Sequence, residues 1–236
     1  MYIGTGKMLL ERIYQTECIY TASKQKETMK PLPNSIGWPF LNNQEQLPKI
    51  ILASVSPRRR NLLKQIGVKF DVIPSSIKED SSLKLSAQKF VEFYAKEKAR
   101  NVSKKYPHSL VIGADTVVVF DESILGKPES SEEAHTMLSP LSGNTLSVFT
   151  GVSLQLQNKS ISHTFHAQTQ VTFKNISTEE IEFYIENYNP YDKAGSYGIQ
   201  DWFSICVEKI DGCYFNVMGL PLNKLYTELK NVIQIK

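Results

Sequence analysis

Residues 49–67 read KIILASVSPRRRNLLKQIG, and this stretch decides the fold class. KIILAS is a short apolar run ending in small residues, the pattern of a buried strand. SPRRRNLLKQIG carries helix punctuation at both ends. Ser56 can cap, Pro57 suits a first turn where its missing N–H would be unpaired anyway, and Gly67 suits the C-terminal exit. A strand running straight into a helix is the building unit of an α/β fold.

Downstream the alternation continues. KFDVIP reads as a strand, SSIKEDSSLK as a polar loop, and SAQKFVEFYAKEKARNVSKKY as a helix whose Ala87, Val91, Tyr94, Ala95 and Val102 recur at helical spacing on one buried face. SLVIGADTVVVFD is β-branched on both sides of Gly113-Ala114-Asp115-Thr116, which predicts two strand segments flanking a small-residue break. A helix starts at Ser130, with Glu133 placed for a capping box, and ends before Pro140. SVFTGVSLQLQ and HTFHAQTQVTF form a hairpin around Asn158-Lys159, and Ser177 with Glu180 opens another capped helix. The polar loop DKAGSYGIQD, a strand-like FSICVEKIDG and a helix after Pro221 complete the chain. Single strands alternating with helices, followed by a hairpin, predict an α/β class with a mixed sheet.

Upstream the character changes. An amphipathic stretch around Met8 to Tyr20 gives way to a Lys-rich segment and then to PLPNSIGWPF, where Pro31, Pro33 and Pro39 forbid a continuous helix. Residues 1–48 are therefore expected to be an N-terminal extension, partly extended or linker-like, and residues 49–236 a single folded domain. With 41% apolar and 22% charged residues, the 236-residue chain can bury a substantial core. A net charge of +3 is too small for the basic stripe of a duplex-binding protein, so no nucleic acid polymer is expected as partner. Cys18, Cys206 and Cys213 cannot all pair and lack metal-site spacing, which fits thiols in a reducing cytosol. No apolar run approaches the roughly 18 residues of a membrane span, and Lys7, Glu11, Arg12 and Glu17 interrupt any signal-peptide core. The expectation is a soluble, cytoplasmic protein with no membrane partner.

Several residues are placed where chemistry is plausible. A helix N-terminus after a strand presents free N–H groups to an anion, and Arg58 and Arg59 sit in that first turn, where cations oppose the helix dipole. Either an anionic ligand resolves the conflict, or the arginines turn to solvent or to carboxylates. Asp115 lies between apolar runs, where burying it as an ion costs several kcal/mol unless a metal, a cation or hydrogen bonds compensate; a turn-capping role is the alternative. If the strand continues, Thr116 faces the opposite side. Lys127 and Lys193 sit in or near Gly/Pro loops, whereas Lys98, in AKEKAR, reads as mostly solvated. Glu79, Asp80 and Asp192 could add oxygen ligands for a hard cation, with Asp80 and Asp192 better read as solvated loop acids. His163 and His166, three apart in a strand, face opposite sides and read as structural. Neither GxxxxGK[ST] nor GxGxxG occurs.

In order, LASVSPRRRNLL, GADTVVV, LGKP, LSGNTLSVFTGV, DKAGSYGIQ and NVMGLPL resemble the Maf family of nucleotide pyrophosphatases, over nearly everything from Ile50 onward. The resemblance implies a Maf/ITPase-like α/β fold, with a long curved mixed sheet, flanking helices and two lobes around a cleft, often in a homodimer. It implies hydrolysis of a nucleoside triphosphate to the monophosphate and pyrophosphate with a divalent metal, Mg2+ or Mn2+. On this resemblance Asp115 is the proton acceptor, and Arg58, Thr116 and Gln200 match positions tied to substrate choice. Ser56 and Arg59 belong to the same substrate-binding motif. Glu79 matches the loop glutamate that shares the metal with Asp115, and Lys98, Lys127 and Lys193 match lysines of the phosphate cleft. DKAGSYGIQ resembles the subgroup that prefers dTTP, UTP and modified pyrimidines; a 7-methyl-GTP enzyme and a nucleotide-binding protein without hydrolysis are the alternatives. The chain departs from the family at Lys78, Leu146, Asn189 and Asp201-Trp202-Phe203, and residues 1–48 have no family counterpart.

Overall fold

The computed structural model describes residues 48–80 and 82–234, so the extension expected over residues 1–48 lies almost wholly outside the described residues. Seven strands form one mixed sheet: β1 (Ile50–Leu52), β2 (Phe70–Val72), β3 (Leu110–Phe120), β4 (Ser123–Leu125), β5 (Thr145–Leu156), β6 (Ile161–Phe173) and β7 (Val207–Asp211), in the order β2-β1-β3-β5-β6-β7 with β4 also on β3. The two pairings of β1 are parallel and all others antiparallel. The helices are α1 (Pro57–Gln65), α2 (Ala87–Ser103), α3 (Ser131–Leu138), α4 (Thr178–Tyr188), the single turn α5 (Tyr214–Val217) and α6 (Leu222–Gln234). Ser56, Ser86, Ser130 and Ser177 each cap a helix through the side chain, and Ser177 with Glu180 makes a reciprocal capping box.

The β3–β5–β6 layer is covered on both faces. His166 meets Glu92 of α2 while His163 meets Glu228 of α6, so residues three apart on β6 do point to opposite sides. The buried face of α2 carries Val91, Tyr94, Ala95 and Val102, as its spacing predicted, and also Phe90 and Ala99, whereas Ala87 in the first turn is only partly buried. Two glycines let this helix seat directly on the sheet. A Cβ on Gly113 would lie 2.3 Å from the Ala95 carbonyl oxygen, and one on Gly151 would lie 2.3 Å from the Val91 carbonyl oxygen.

That close seating also explains one correction. Gly113-Ala114-Asp115-Thr116 does not break β3, which runs unbroken because β5 pairs with it in register from Val111 to Val119. The small residues serve the approach of α2, not a bend. A second correction concerns FSICVEKIDG: its first half lies in a 3-10 segment, Trp202–Cys206, started by Asp201, which accepts the Phe203 N–H. Only Val207–Asp211 is strand.

On the edge of β3 away from β5, β1 pairs with Leu110–Ile112 and β4 with Val118–Phe120. Between them Gly113–Val117 has no strand partner on that edge. The sheet therefore opens beside Asp115 and Thr116, and the cleft lies there.

Candidate active site

The opening is a cavity of about 600 Å³. From the β1–α1 side come Ser56, Arg58 and Arg59, and from the loop after β2 comes Glu79. Lys98 descends from α2, Asp115 and Thr116 form the floor, and Lys127 follows β4. Lys193 and Gln200 enter from the loop after α4. Every residue matched to the family's substrate or metal site thus lines one cavity, although the segments are far apart in sequence; Asp80 does not line it, and its carboxylate instead accepts from the Ser82 N–H and hydroxyl.

Asp115 is almost fully buried. Its Oδ1 accepts from Lys98 Nζ at 2.6 Å, while its Oδ2 is buried with no hydrogen-bond partner among the described residues. Burial pushes the Asp115 carboxyl above its usual value, with Glu79 adding to the rise and Lys98 opposing it. Lys98 also donates to Glu79 Oε1, so one ammonium bridges two carboxylates. At Glu79 burial alone would raise the carboxyl, but the attraction and hydrogen bond of Lys98 outweigh it and hold Glu79 below its usual value. The expectation of a mostly solvated Lys98 is therefore corrected: its side chain is only 13% exposed. The helical period places Lys98 one turn beyond Tyr94, and the glycine seating of α2 presses that margin of the helix onto Asp115. Tyr94 also holds the Glu79 loop, its hydroxyl accepting the Asp80 N–H at 2.6 Å.

The two arginines of the capped helix diverge. Arg59 turns inward to the unpaired edge of β3: Nη1 donates to the Ala114 carbonyl (3.0 Å) and Ser54 Oγ (3.3 Å), Nη2 to Thr116 Oγ1 (2.8 Å), and Nε to the Gly219 carbonyl (2.8 Å). The guanidinium stands in for the missing strand. Burial draws its pKa down, against the pull of Asp115 and Glu79, and no carboxylate lies within ion-pair distance of it among the described residues. Thr116 is committed as well. Thr150 Oγ1 donates to the Asn216 carbonyl, so the 3.0 Å contact between the two threonines carries the Thr116 proton toward Thr150. This relay and Arg59 together fix the Asn216–Gly219 segment at the cleft wall.

Arg58 points to the opposite wall. Its Nη1 donates to Asp192 Oδ2 at 2.8 Å and its Nη2 to the Asp192 carbonyl at 3.4 Å, while Lys193 Nζ reaches Asp192 Oδ1 at 2.9 Å. Asp192 is thus not a merely solvated loop acid, and a pairing across 134 positions leaves no local sequence signal. Asp201, marked in the sequence only as a departure from the family pattern, also lines the cleft. Its Oδ2 accepts from the Tyr184 hydroxyl at 3.1 Å and lies 3.7 Å from Lys193 Nζ, which anchors the loop that presents Gln200. Of the departures from the family pattern, Asp201 lines the cleft, whereas Lys78, Leu146 and Asn189 do not. Leu146 is core, and Asn189 ends α4 at φ 45°, a left-handed position that asparagine tolerates.

Among the described residues no group of three or more His, Cys, Asp or Glu side chains is arranged as a metal site. The donor set nonetheless fits a hard divalent cation of the Mg2+ type. Such an ion takes one or two carboxylates and completes its shell with phosphate oxygens and water. Asp115 offers an orphaned buried oxygen beside Glu79.

The family model described as "Maf-like protein" matches residues 49–232. A protein of Bacillus pumilus named dTTP/UTP pyrophosphatase is 47% identical over 176 residues, covering 75% of this chain and 92% of the relative. One of the same name from Carboxydothermus hydrogenoformans is 44% identical over 182 residues, covering 77% and 97%. Among solved structures, a HAM1 protein from Coxiella burnetii aligns with a TM-score of 0.45 at 18% identity, over 78% of this chain and all of that one.

Proposed function

The chain belongs to the Maf family, and from that premise we propose that it is a nucleoside triphosphate pyrophosphatase acting on dTTP, UTP and modified pyrimidine nucleotides. The observation that carries the reading is Asp115, a carboxylate sunk in the floor of a cleft lined by arginines and lysines, with the Lys98 ammonium against it. In the reaction, a water oxygen bonds to the α-phosphorus and the bond from that phosphorus to the α–β bridging oxygen breaks. Pyrophosphate leaves with the electron pair, and the water's proton passes to Asp115. Burial makes Asp115 a better base than an ordinary aspartate, while Lys98 keeps it ionised and ready to accept that proton.

Glu79 and Asp115 would hold the divalent cation, Mg2+ or Mn2+, which when bound supplies positive charge to the phosphate oxygens. The free N–H groups of α1, Lys127 and Lys193 would bind the β- and γ-phosphates. Gln200, exposed at the wall and pairing a donor with an acceptor, suits the edge of a pyrimidine. Arg59 and Thr116 shape the pocket from below and spend their hydrogen bonds on the protein. On the family resemblance we also read the protein as a cytoplasmic homodimer; light scattering in solution tests the oligomer.

The decisive experiment incubates the protein and its Asp115→Asn variant with dTTP, UTP and 7-methyl-GTP in Mg2+ or Mn2+, and identifies the products. The expected result is pyrophosphate and monophosphate from the pyrimidine substrates, and a drop in kcat of at least about a hundredfold in the variant. Undiminished turnover by Asp115→Asn would remove the proposed base. Nucleotide binding with no pyrophosphate release under either metal would favour a sensing role.

A further inference from the structure

The cleft holds a carboxylate that works against a triphosphate. Asp192 accepts from Arg58 at 2.8 Å and from Lys193 at 2.9 Å, so one acid occupies two of the cations that face the cavity from opposite walls. Partial burial alone would raise its carboxyl, but Lys193 and Arg58 outweigh that and hold it below the usual aspartate range, fully ionised at neutral pH. Its side chain is 61% exposed, whereas that of Lys193 is 16% exposed. The acid is therefore the partner with room to move away, and the lysine is the fixed one. The pairing with Arg58 joins segments 134 residues apart and spans the cavity. With Asp201 also 3.7 Å from Lys193, this corner of the cleft has no spare positive charge.

We infer that Asp192 is an internal stand-in for phosphate, a specificity-determining carboxylate that links Arg58 to Lys193 across the cleft and is displaced from both when a polyphosphate binds. The idea rests on the pyrophosphatase reading of the cleft. An anion must exchange with Asp192 to gain those two cations, so the site favours ligands carrying several adjacent negative charges over those carrying few. Triphosphate and pyrophosphate carry enough to exchange; a nucleoside monophosphate carries less.

The test is calorimetric binding of inorganic pyrophosphate, which needs no turnover, to the full chain and to Asp192→Asn, Arg58→Ala and the double variant. Exposed ion pairs contribute little each, so the Asp192→Asn protein is expected to bind pyrophosphate about two- to fivefold more tightly. In the Arg58→Ala background the gain is expected to fall by at least half, because only the Lys193 pairing remains to be relieved. Weaker or unchanged binding by Asp192→Asn would show that Asp192 holds the cations for the ligand or is idle, and would overturn the proposal. A gain of full size in the Arg58→Ala background would reduce it to a general charge effect and would overturn it equally. Thermal melting of each variant separates these outcomes from misfolding, and dTTP turnover by the unaltered chain reports separately on the pyrophosphatase reading.

Discussion

Replacing Lys98 with methionine removes the one ammonium that bridges Glu79 and Asp115, and its consequences can be worked out from the surrounding groups. The methionine keeps the apolar stem packed beside β3 but leaves both oxygens of Asp115 without a partner, since Oδ2 already has none. Removing one member of a buried ion pair costs about 3–5 kcal/mol. The lower end applies, because Asp115 can take up a proton instead of remaining a bare buried ion. The Glu79 contact, on a side chain about half exposed, adds no more than about 1 kcal/mol. A loss of about 3 kcal/mol at pH 7 is therefore expected from urea unfolding.

The pH dependence has a definite sign. Asp115 already has a folded-state pKa above the ordinary 3.8, and loss of Lys98 raises it further. Between the unfolded and folded values the native state holds a proton that the unfolded state has released, so stability falls as pH rises through that window. The deficit of Lys98→Met relative to the unaltered chain should accordingly shrink on going from pH 7 toward pH 4. Glu79 adds to this trend. Its lowered pKa makes the unaltered chain lose stability as pH falls through the range below 4.5, and the variant no longer has that stability to lose. In activity, the rising limb of kcat/KM against pH should move to higher pH, because Asp115 must be ionised to accept a proton. A loss below about 1 kcal/mol at pH 7, or a rising limb that stays in place, would refute the reading of Lys98 as the partner that keeps Asp115 ionised.

Further substitutions probe the frame around the site. Gly113→Ala pushes a Cβ into the α2 backbone and should cost about 1–3 kcal/mol with a fall in kcat, read by chemical unfolding and steady-state kinetics, because the helix that carries Lys98 is lifted. Arg59→Lys cannot serve Ala114, Thr116 and Gly219 from one nitrogen; each buried acceptor left unpaired costs about 1–3 kcal/mol, and KM should rise as the Asn216–Gly219 wall loosens. Ser177→Ala removes the capping box of α4 and should cost about 1 kcal/mol in thermal or urea unfolding while leaving kcat and KM unaltered, since Ser177 does not line the cleft.

What the sequence by itself determined lies within a few residues of each feature. Helix starts follow from serine caps, whose side chains bond backbone groups three positions on, and the buried face of α2 follows from a 3.6-residue period. The alternation of strand and helix set the class, and the ordered motifs marked residues that share one cavity. Tertiary structure decided whatever depends on partners distant in the chain. Whether Gly113 breaks a strand or admits a helix depends on β5 and α2, so the continuity of β3 could not be read from SLVIGADTVVVFD alone. Lys98 looks solvated among its charged neighbours because burial is imposed by the sheet beneath it, and Asp192 looks idle because Arg58 arrives from 134 residues away. The cleft itself has the same origin: β1 and β4 take separate parts of one edge of β3, and the cavity opens beside Asp115 and Thr116 in the gap between them.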